Sequence, residues 1–227
     1  GREYYERWEF LNSYSGCMLG NPALSVLADA YVKGIRTYDA EKAYRYAVNT
    51  SRHFGNDSLG YIPEPLSIST TLEYAYTDWC VSQMAQAMGK GEDARLFYEK
   101  GQAYHHIFDQ EKGWFRPRKA DGSWVAWPEN ARLKEWYGCI EANSYQQGWF
   151  VPHDVSGMVE LMGGKEKVIE DLIYFSVRLL PICCGMNTTI MLTNRCILLL
   201  SSLISLLYLG IPRSGHVIFV KKRMLIK

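Results

Sequence analysis

The chain has 227 residues, of which 48% are hydrophobic and 22% are charged, and this composition excludes a disordered or collagen-like polymer. Its 25 Lys and Arg nearly balance its 24 Asp and Glu, so the net charge of +1 gives no electrostatic reason to expect a nucleic-acid partner. Aromatic residues reach 14%, with 7 Trp and 16 Tyr, which favours a carbohydrate ligand only mildly because most rings fill the core.

Five helices joined by long aromatic loops are predicted in the first 175 residues. The first begins at Pro22 behind Asn21 as its cap, and the second begins behind Asp39, because such residues are favoured at helix starts. The loops carry Pro, Gly and Trp and show no strand-like alternation. This pattern predicts an all-α fold, an α/α toroid in which loops at one end build the site. The predicted helices cover residues 22–34, 40–52, 69–88 and 93–108, and residues 155–175 contain a fifth.

Residues 141–154 hold the densest group of chemically useful side chains. Two carboxylates, one imidazole and three side-chain amides lie there beside Tyr145 and Trp149. A glycosidase needs an acid that protonates the leaving oxygen, amides that bind hydroxyls and a ring that stacks on the sugar. The same segment also fits a helix that opens at Pro152, with Asp154 in its first turn and the aromatic residues in the core.

A second run, residues 69–79, places pairs of polar side chains on adjacent turns of a predicted helix. Glu73 lies four residues before Thr77, and Tyr74 lies four residues before Asp78. An amphipathic helix capped by a Ser or Thr explains the same pattern equally well. This run therefore gives candidate residues but no function by itself.

Other common chemistries find no support in the sequence. It contains no glycine-rich phosphate loop and no Cys pair with zinc-like spacing near a His. Cys17, Cys80 and Cys139 give an odd number of cysteines in the first 175 residues, so they specify no disulfide framework. We therefore expect neither a zinc enzyme nor a redox enzyme.

The C-terminal part of the chain differs sharply in composition from the rest. Residues 181–227 contain no Asp, Glu or Trp, and residues 196–209 form an uncharged apolar run. This run is shorter than the roughly 20 residues that a helix needs to cross a bilayer. We therefore expect no membrane span and consider a buried or interfacial segment a better fit.

Four segments resemble the central catalytic part of glycoside hydrolase family 92, the calcium-dependent exo-α-mannosidases. The helical domain of that family is an (α/α)6 toroid that follows a β-sandwich, and this chain is too short to hold both. The resemblance implies that residues 1–175 form a partial (α/α)6 toroid. The four segments are residues 20–35, residues 69–80, residues 114–118 with 121–124, and residues 141–154.

Matching these segments residue by residue implies the residues of a sugar site. Glu141 falls on the family's general acid. The sequence departs from the family pattern at Ala142, where Gly is usual, at Gln147, where Tyr is usual, and at Thr77, where Asp is frequent. The resemblance assigns substrate binding to Asp78, Trp79, Gln146, Trp149, His153 and Asp154, and it leaves the metal ligands unassigned.

The resemblance also implies a base, a cofactor and a cellular location. An inverting glycosidase needs a second carboxylate about 6.5–9.5 Å from the acid to activate water. In the family this base lies well downstream, in a Gly-Asn-Asp/Glu-Asp-like loop that has no counterpart here. We expect a calcium cofactor, a mannose-containing glycan as the partner, and a periplasmic or secreted parent enzyme. Because the chain begins at Gly1 without a signal peptide, we expect the true N-terminus to lie upstream.

We hypothesise that residues 176–227 are family sequence translated in the wrong reading frame. Met186 followed by Asn187 must give Glu in the shifted frame, because ATG before AAY contains GAA. From there to Cys196, one permitted choice of codons reads Glu-Tyr-Tyr-Asn-His-Ala-Asn-Glu-Pro-Val. This resembles the family signature Tyr-Asn-His-x-Asn-Glu-Pro, which contributes to the sugar and calcium site. We expect the frame to slip between Phe175 and Pro181, which leaves a non-native or irregular tail.

The sequence therefore predicts a fragment of an inverting exo-α-mannosidase that hydrolyses terminal α-mannosides of glycans. As written, the chain is expected to have little or no activity, because the base and the Asn-Glu site are missing. Two alternatives stay open at this point. One is another α/α-toroid glycosidase, trehalase-like or glucoamylase-like, and the other is a non-catalytic sugar-binding or helical interaction module.

Overall fold

A computed structural model describes residues 2–11 and 13–174 of the chain, and helices dominate this part. The described strands form two hairpins of two residues a side, β1 (Glu9–Phe10) with β2 (Ser13–Tyr14) and β3 (Phe108–Asp109) with β4 (Trp114–Phe115). Two 3₁₀ turns cover Ala103–Ile107 and Ala131–Leu133. The helices are α1 (Pro22–Val32), α2 (Ala40–Phe54), α3 (Ser67–Ala87), α4 (Gly91–Lys100), α5 (Ser144–Gln147), α6 (Val155–Leu161) and α7 (Lys165–Tyr174).

The long helix α3 lies at the centre, in contact with α1, α2 and α4. Of its 21 residues 15 are buried, so it is enclosed by neighbours rather than amphipathic. No Ser or Thr caps its start, because Leu66 holds the cap position and makes no side-chain bond. Instead the backbone N–H groups of Ile68 and Ser69 donate to the Gly138 carbonyl at 2.9 and 3.1 Å. The first turn of α3 is therefore completed by a distant loop.

Two hydrophobic clusters flank α3. The first joins it to α1, α2 and α4 through residues such as Leu24, Val81 and Phe97. The second joins it to the aromatic loops and to α6 and α7, and its large side chains include Trp114 and Met158. Because the loops supply whole aromatic rings to the second cluster, they are part of the core.

The predicted all-α fold is confirmed, and several helix ends are corrected. Asp39 caps α2 as predicted, since its Oδ1 accepts from Lys42 N at 3.0 Å. Asn21 holds the N-cap position of α1 as predicted, but its side chain makes no cap hydrogen bond. Residues 155–175 were predicted to contain one helix, and the structure has two there, because Gly163 and Gly164 adopt φ of +97° and +107° and break the helical path.

The helix predicted over 93–108 is also interrupted. It ends at Lys100, and the chain turns at Gly101 into the 3₁₀ turn. A Cβ on Gly101 would lie 3.1 Å from Trp79 Cβ, so the turn packs tightly against α3. Phe108 then enters β3, where it pairs with Phe115. Strands of two residues carry no alternating pattern, which is why the sequence predicted no β-structure.

No helix in the described part is both long enough and apolar enough to cross a membrane. The apolar run 196–209 and the predicted out-of-frame tail lie outside the described residues.

Candidate functional site

The loop that carries Glu141 is held tightly against the start of α3. Ile140 N donates to Ser69 Oγ at 3.0 Å, and Trp136 N donates to Ala142 O at 3.2 Å. Glu141 itself is exposed and adopts a left-handed φ of +49°, which a non-glycine residue rarely takes without outside support. The hydrogen bonds on both sides of Glu141 therefore fix its backbone at one end of α3.

Gln146 takes part in the capping box that starts α5. Asn143 Oδ1 accepts from Gln146 N at 3.0 Å, and Gln146 Oε1 accepts from Asn143 N at 3.1 Å. This reciprocal pair satisfies two helix-start donors and fixes the direction of the chain just after Glu141. The structure thus places Gln146 close to Glu141 in sequence and in space, with its side-chain oxygen engaged by the backbone.

Trp149 lies in the core. Its side chain is 3% exposed and packs against the rings of Trp114 and Tyr145, with centroids 5.1 and 6.1 Å away. Its Nε1 is buried and has no hydrogen-bond partner among the described residues. The sequence predicted that Trp149 binds the sugar; in this structure the ring is covered by protein.

His153 is surrounded by aromatic rings and is held neutral. Its Nε2 lies 2.7 Å from the carbonyl of Gly101, which requires a proton on Nε2 and leaves Nδ1 as an acceptor. Burial lowers the pKa of His153 to about 4, and Gly101 opposes this shift. The rings of Tyr76, Trp79 and Tyr104 lie 5.9 to 6.2 Å from the imidazole.

Asp154 is the N-cap of α6. Its Oδ1 accepts from Gly157 N at 2.9 Å, and its Oδ2 accepts from the Tyr104 hydroxyl at 2.8 Å. Burial and then Asp154 raise the pKa of Tyr104, so the phenol keeps its proton and acts as the donor. Asp154 thereby connects the segment that contains Glu141 to the 3₁₀ turn after α4.

Asp78 and Trp79 point in different directions from α3. Trp79 is half-buried beside His153 and Tyr76. Asp78 is buried, its Oδ1 has no partner among the described residues, and burial raises its pKa to about 6 although Lys100 opposes the shift. Lys100 Nζ is paired with Asp57 Oδ1 at 2.7 Å. Asp78 lines a cavity of about 250 Å³ with both of these residues.

A larger cavity lies on another face of α3. Its volume is about 480 Å³, within the range of small-molecule pockets. Glu73 and Thr77 follow Ser69 at intervals of four residues, so this cavity lies along the helix face that supports the Glu141 loop. Its other principal lining residues are Arg7, Trp8, Gly20, Asn21, Tyr76 and Phe150.

The predicted site residues are thus only partly brought together. Trp79, His153 and Asp154 form one connected group, and Gln146 adjoins the Glu141 loop. Asp78 lines the smaller cavity, whose lining does not include Glu141. No sequence signal assigned a binding role to Trp8 or Asn21, and Glu73 was predicted only as a helix-face residue. The spacing of Glu73 and Thr77 placed both residues on one helix face, but it predicted no cavity there.

Among the described residues, no group of three or more His, Cys, Asp or Glu side chains could hold a metal ion.

Comparisons with a family model, a curated protein and solved structures all match this chain to glycoside hydrolases. The chain matches the glycosyl hydrolase family 92 catalytic domain over residues 2–189. It is 28% identical to an uncharacterized secreted glycosidase of Arthroderma benhamiae, over 68% of this chain and 26% of that protein.

Two solved structures from Bacteroides thetaiotaomicron share the fold and part of the sequence. A family GH92 alpha-mannosidase is 32% identical with a TM-score of 0.69, over 76% of this chain and 24% of its own. A family GH92 inverting mannosidase is 34% identical with a TM-score of 0.67, over 72% and 24%. The former has also been solved in complex with mannoimidazole. The chain thus spans about a quarter of the length of these relatives.

Proposed function

Because this chain belongs to glycosyl hydrolase family 92, we propose that it is part of the catalytic domain of an inverting exo-α-mannosidase. The parent enzyme hydrolyses terminal α-mannosides of glycans, and Glu141 is its general acid. Two observations on relatives support mannose as the sugar: two solved relatives are mannosidases, and one of them has been solved with mannoimidazole. The other is an inverting enzyme, which supports inversion.

The position of Glu141 is the observation that carries this proposal. A general acid must reach the leaving-group oxygen from a fixed position, and a carboxylate on a loose loop would do so rarely. Glu141 is exposed, and the hydrogen bonds of Ile140 and Ala142 fix the backbone on both sides of it. In the proposed reaction, Glu141 gives its proton to the glycosidic oxygen as the bond to the anomeric carbon breaks.

The other predicted residues act around this acid. Asp154 and Gln146 are hydrogen-bonded to the protein, so we propose that they position the segment that carries the acid and do not contact the sugar directly. His153, held neutral, presents Nδ1 as an acceptor within an aromatic group. Of the six residues predicted to bind substrate, we propose direct contact for Asp78, Trp79 and His153. Trp149 is packed into the aromatic core and supports the segment that carries the acid.

In this proposal the described residues supply neither the calcium ligands nor the carboxylate that activates water. The described residues contain no cluster of three or more His, Cys, Asp or Glu side chains, so we propose that the calcium ligands belong to the segment that the shifted frame replaces. The water-activating carboxylate of the inverting reaction has no candidate in the sequence either. We therefore propose that the chain as written does not turn over mannosides.

The experiment uses a frame-corrected, full-length enzyme and an aryl α-mannoside. Replacing Glu141 with Gln is expected to lower kcat by about 10²–10⁴-fold, the usual contribution of a general acid. Glu135→Gln is the matched control, because Glu135 is an exposed carboxylate in the same loop and should keep activity. Proton NMR of the first turnover is expected to show the β-anomer of mannose.

Equal activity of Glu141→Gln and the native enzyme would contradict the acid assignment. Binding of mannosides without any turnover by the corrected enzyme would instead favour a non-catalytic sugar-binding module. A secreted relative supports placing the parent enzyme outside the cytoplasm, and detection of the enzyme in the medium or periplasm of the source cells would test that.

A further inference from the structure

The larger cavity beside α3 contains a buried amide with an unmet hydrogen bond. Asn21 is 3% exposed, lines this cavity, and its Oδ1 has no partner among the described residues. An unpaired buried acceptor costs about 1–3 kcal/mol, so such a group usually meets a ligand or water. Asn21 holds the cap position of α1, but its side chain makes no cap hydrogen bond.

A carboxylate is seated next to this amide. Glu73 lines the same cavity, and a Cβ added to Gly20 would lie 2.3 Å from Glu73 Oε2. Gly20 also has a φ of +82°, a conformation that favours glycine. The absence of a side chain at residue 20 therefore lets the Glu73 carboxylate approach the backbone immediately before Asn21.

The remaining walls suit a sugar ring. Trp8, Tyr76 and Phe150 place aromatic surface on the cavity, and Trp8 is 57% exposed and so open to a ligand. Arg7 lines the cavity as well, and its Nη1 donates to the Met18 carbonyl at 3.0 Å. A cation beside this guanidinium would be repelled, so hydroxyl groups are the donors that suit Asn21 and Glu73.

We propose that this cavity is a hydroxyl-binding subsite for a pyranose ring, with Glu73 and Asn21 accepting from its hydroxyl groups and Trp8 stacking on its face. The subsite rests on the proposed function, because Glu73 lies one helical turn, about 6 Å along α3, from the residue that holds the Glu141 loop. It adds three residues to the predicted site, and they act by binding and orienting the sugar.

The test measures binding of methyl α-mannopyranoside, methyl α-glucopyranoside and methyl α-galactopyranoside to the full chain by calorimetry. Glu73→Gln is expected to weaken the Kd at least about tenfold, since hydrogen bonds to charged groups contribute about 1.5–3 kcal/mol. Trp8→Ala should weaken it similarly, and because Trp8 is largely exposed this variant should fold normally. Glu99→Gln is the matched control, because Glu99 lines only the smaller of the two cavities and should bind with native affinity.

The outcomes separate the subsite from the proposed function. Unchanged affinity in a Glu73→Gln chain with native thermal stability, or no binding of any of the three glycosides, overturns the subsite. Binding of a glucoside or galactoside that depends on Glu73 and Trp8, without binding of the mannoside, supports the subsite and contradicts the mannosidase assignment. Mannoside turnover by the frame-corrected enzyme with an unchanged KM in Glu73→Gln overturns the subsite alone.

Discussion

The hydroxyl of Tyr104 donates to Asp154 Oδ2 at 2.8 Å, and the same carboxylate caps α6 through its other oxygen. Tyr104 is fully buried on the 3₁₀ turn after α4, whereas Asp154 follows the segment that carries the proposed acid. One side chain therefore joins two parts of the chain that are 50 residues apart.

Replacing Asp154 with Ala is expected to destabilise the fold by about 2–4 kcal/mol. The variant loses a helix cap, which contributes about 1 kcal/mol, and leaves the Tyr104 hydroxyl buried without its partner. Asp39→Ala is the matched control, because Asp39 caps α2 at an exposed position without a tyrosine partner and should cost about 1 kcal/mol. Urea unfolding measures both, and equal losses would contradict a structural link through Tyr104.

His153 is expected to make the fold sensitive to acid. Its pKa is about 4 in the folded state, below the unfolded value near 6.5. The stability it contributes is therefore present above about pH 6.5 and is lost as the pH falls toward 4, by on the order of 3 kcal/mol. His153→Gln retains a donor for the Gly101 carbonyl but cannot titrate. A native chain that loses no more stability than this variant between pH 7 and pH 4 would contradict the prediction.

Asp78 is expected to make the fold less stable as the pH rises, which is the opposite of the effect of His153. Its folded pKa of about 6 lies above the unfolded value near 3.9, so its contribution is full below about pH 4 and is lost as the pH rises through 6. Asp78→Asn should therefore raise the free energy of unfolding at pH 7, by about 2–3 kcal/mol. Asp57→Asn serves as the control, because it removes the exposed partner of Lys100 and should not stabilise. Urea titrations at pH 4 and pH 7 distinguish the two, and a loss of stability in Asp78→Asn at pH 7 would show that the charge is well paired.

Gly138 is expected to hold the proposed acid in place. Its φ is +73°, and a Cβ there would lie 2.6 Å from Pro117 Cγ and 3.1 Å from Ile68 Cδ1. Gly138→Ala should cost about 2–4 kcal/mol, from backbone strain and overpacking together. Gly122→Ala isolates the strain, because Gly122 has a φ of +83° and open space around it. Thermal unfolding compares the two, and equal losses would mean that the contact of Gly138 with α3 contributes nothing.

The sequence predicted a helix end correctly where the residues at that end determine it by themselves. Asp39 capped its helix as predicted because its own side chain reaches a helix-start amide. Asn21 is also a residue type favoured at helix starts, yet its side chain lines a cavity. That cavity is formed by α3 and the N-terminal segment, which lie outside the local sequence of α1. The break after Lys100 likewise depends on close packing of Gly101 against Trp79.

The sequence predicted the part of the candidate site that lies in one continuous segment. The motif around Glu141 lies in one continuous segment, so the sequence could identify it. The support of Glu141 comes from Ser69, which lies 71 residues before Ile140, and only the folded chain brings the two together. Trp8 and Asn21 belong to a short N-terminal segment whose relation to Glu73 no local pattern encodes.

Hydrolysis of an aryl α-mannoside by this chain and by a frame-corrected, full-length enzyme tests the central claim most directly, once sequencing of the gene across codons 175–196 has established the frame. We predict turnover by the corrected enzyme, its loss in Glu141→Gln, and no turnover by the chain as written. Comparable turnover by both proteins would contradict the account, because it would mean that the residues assigned to the missing segment are not required.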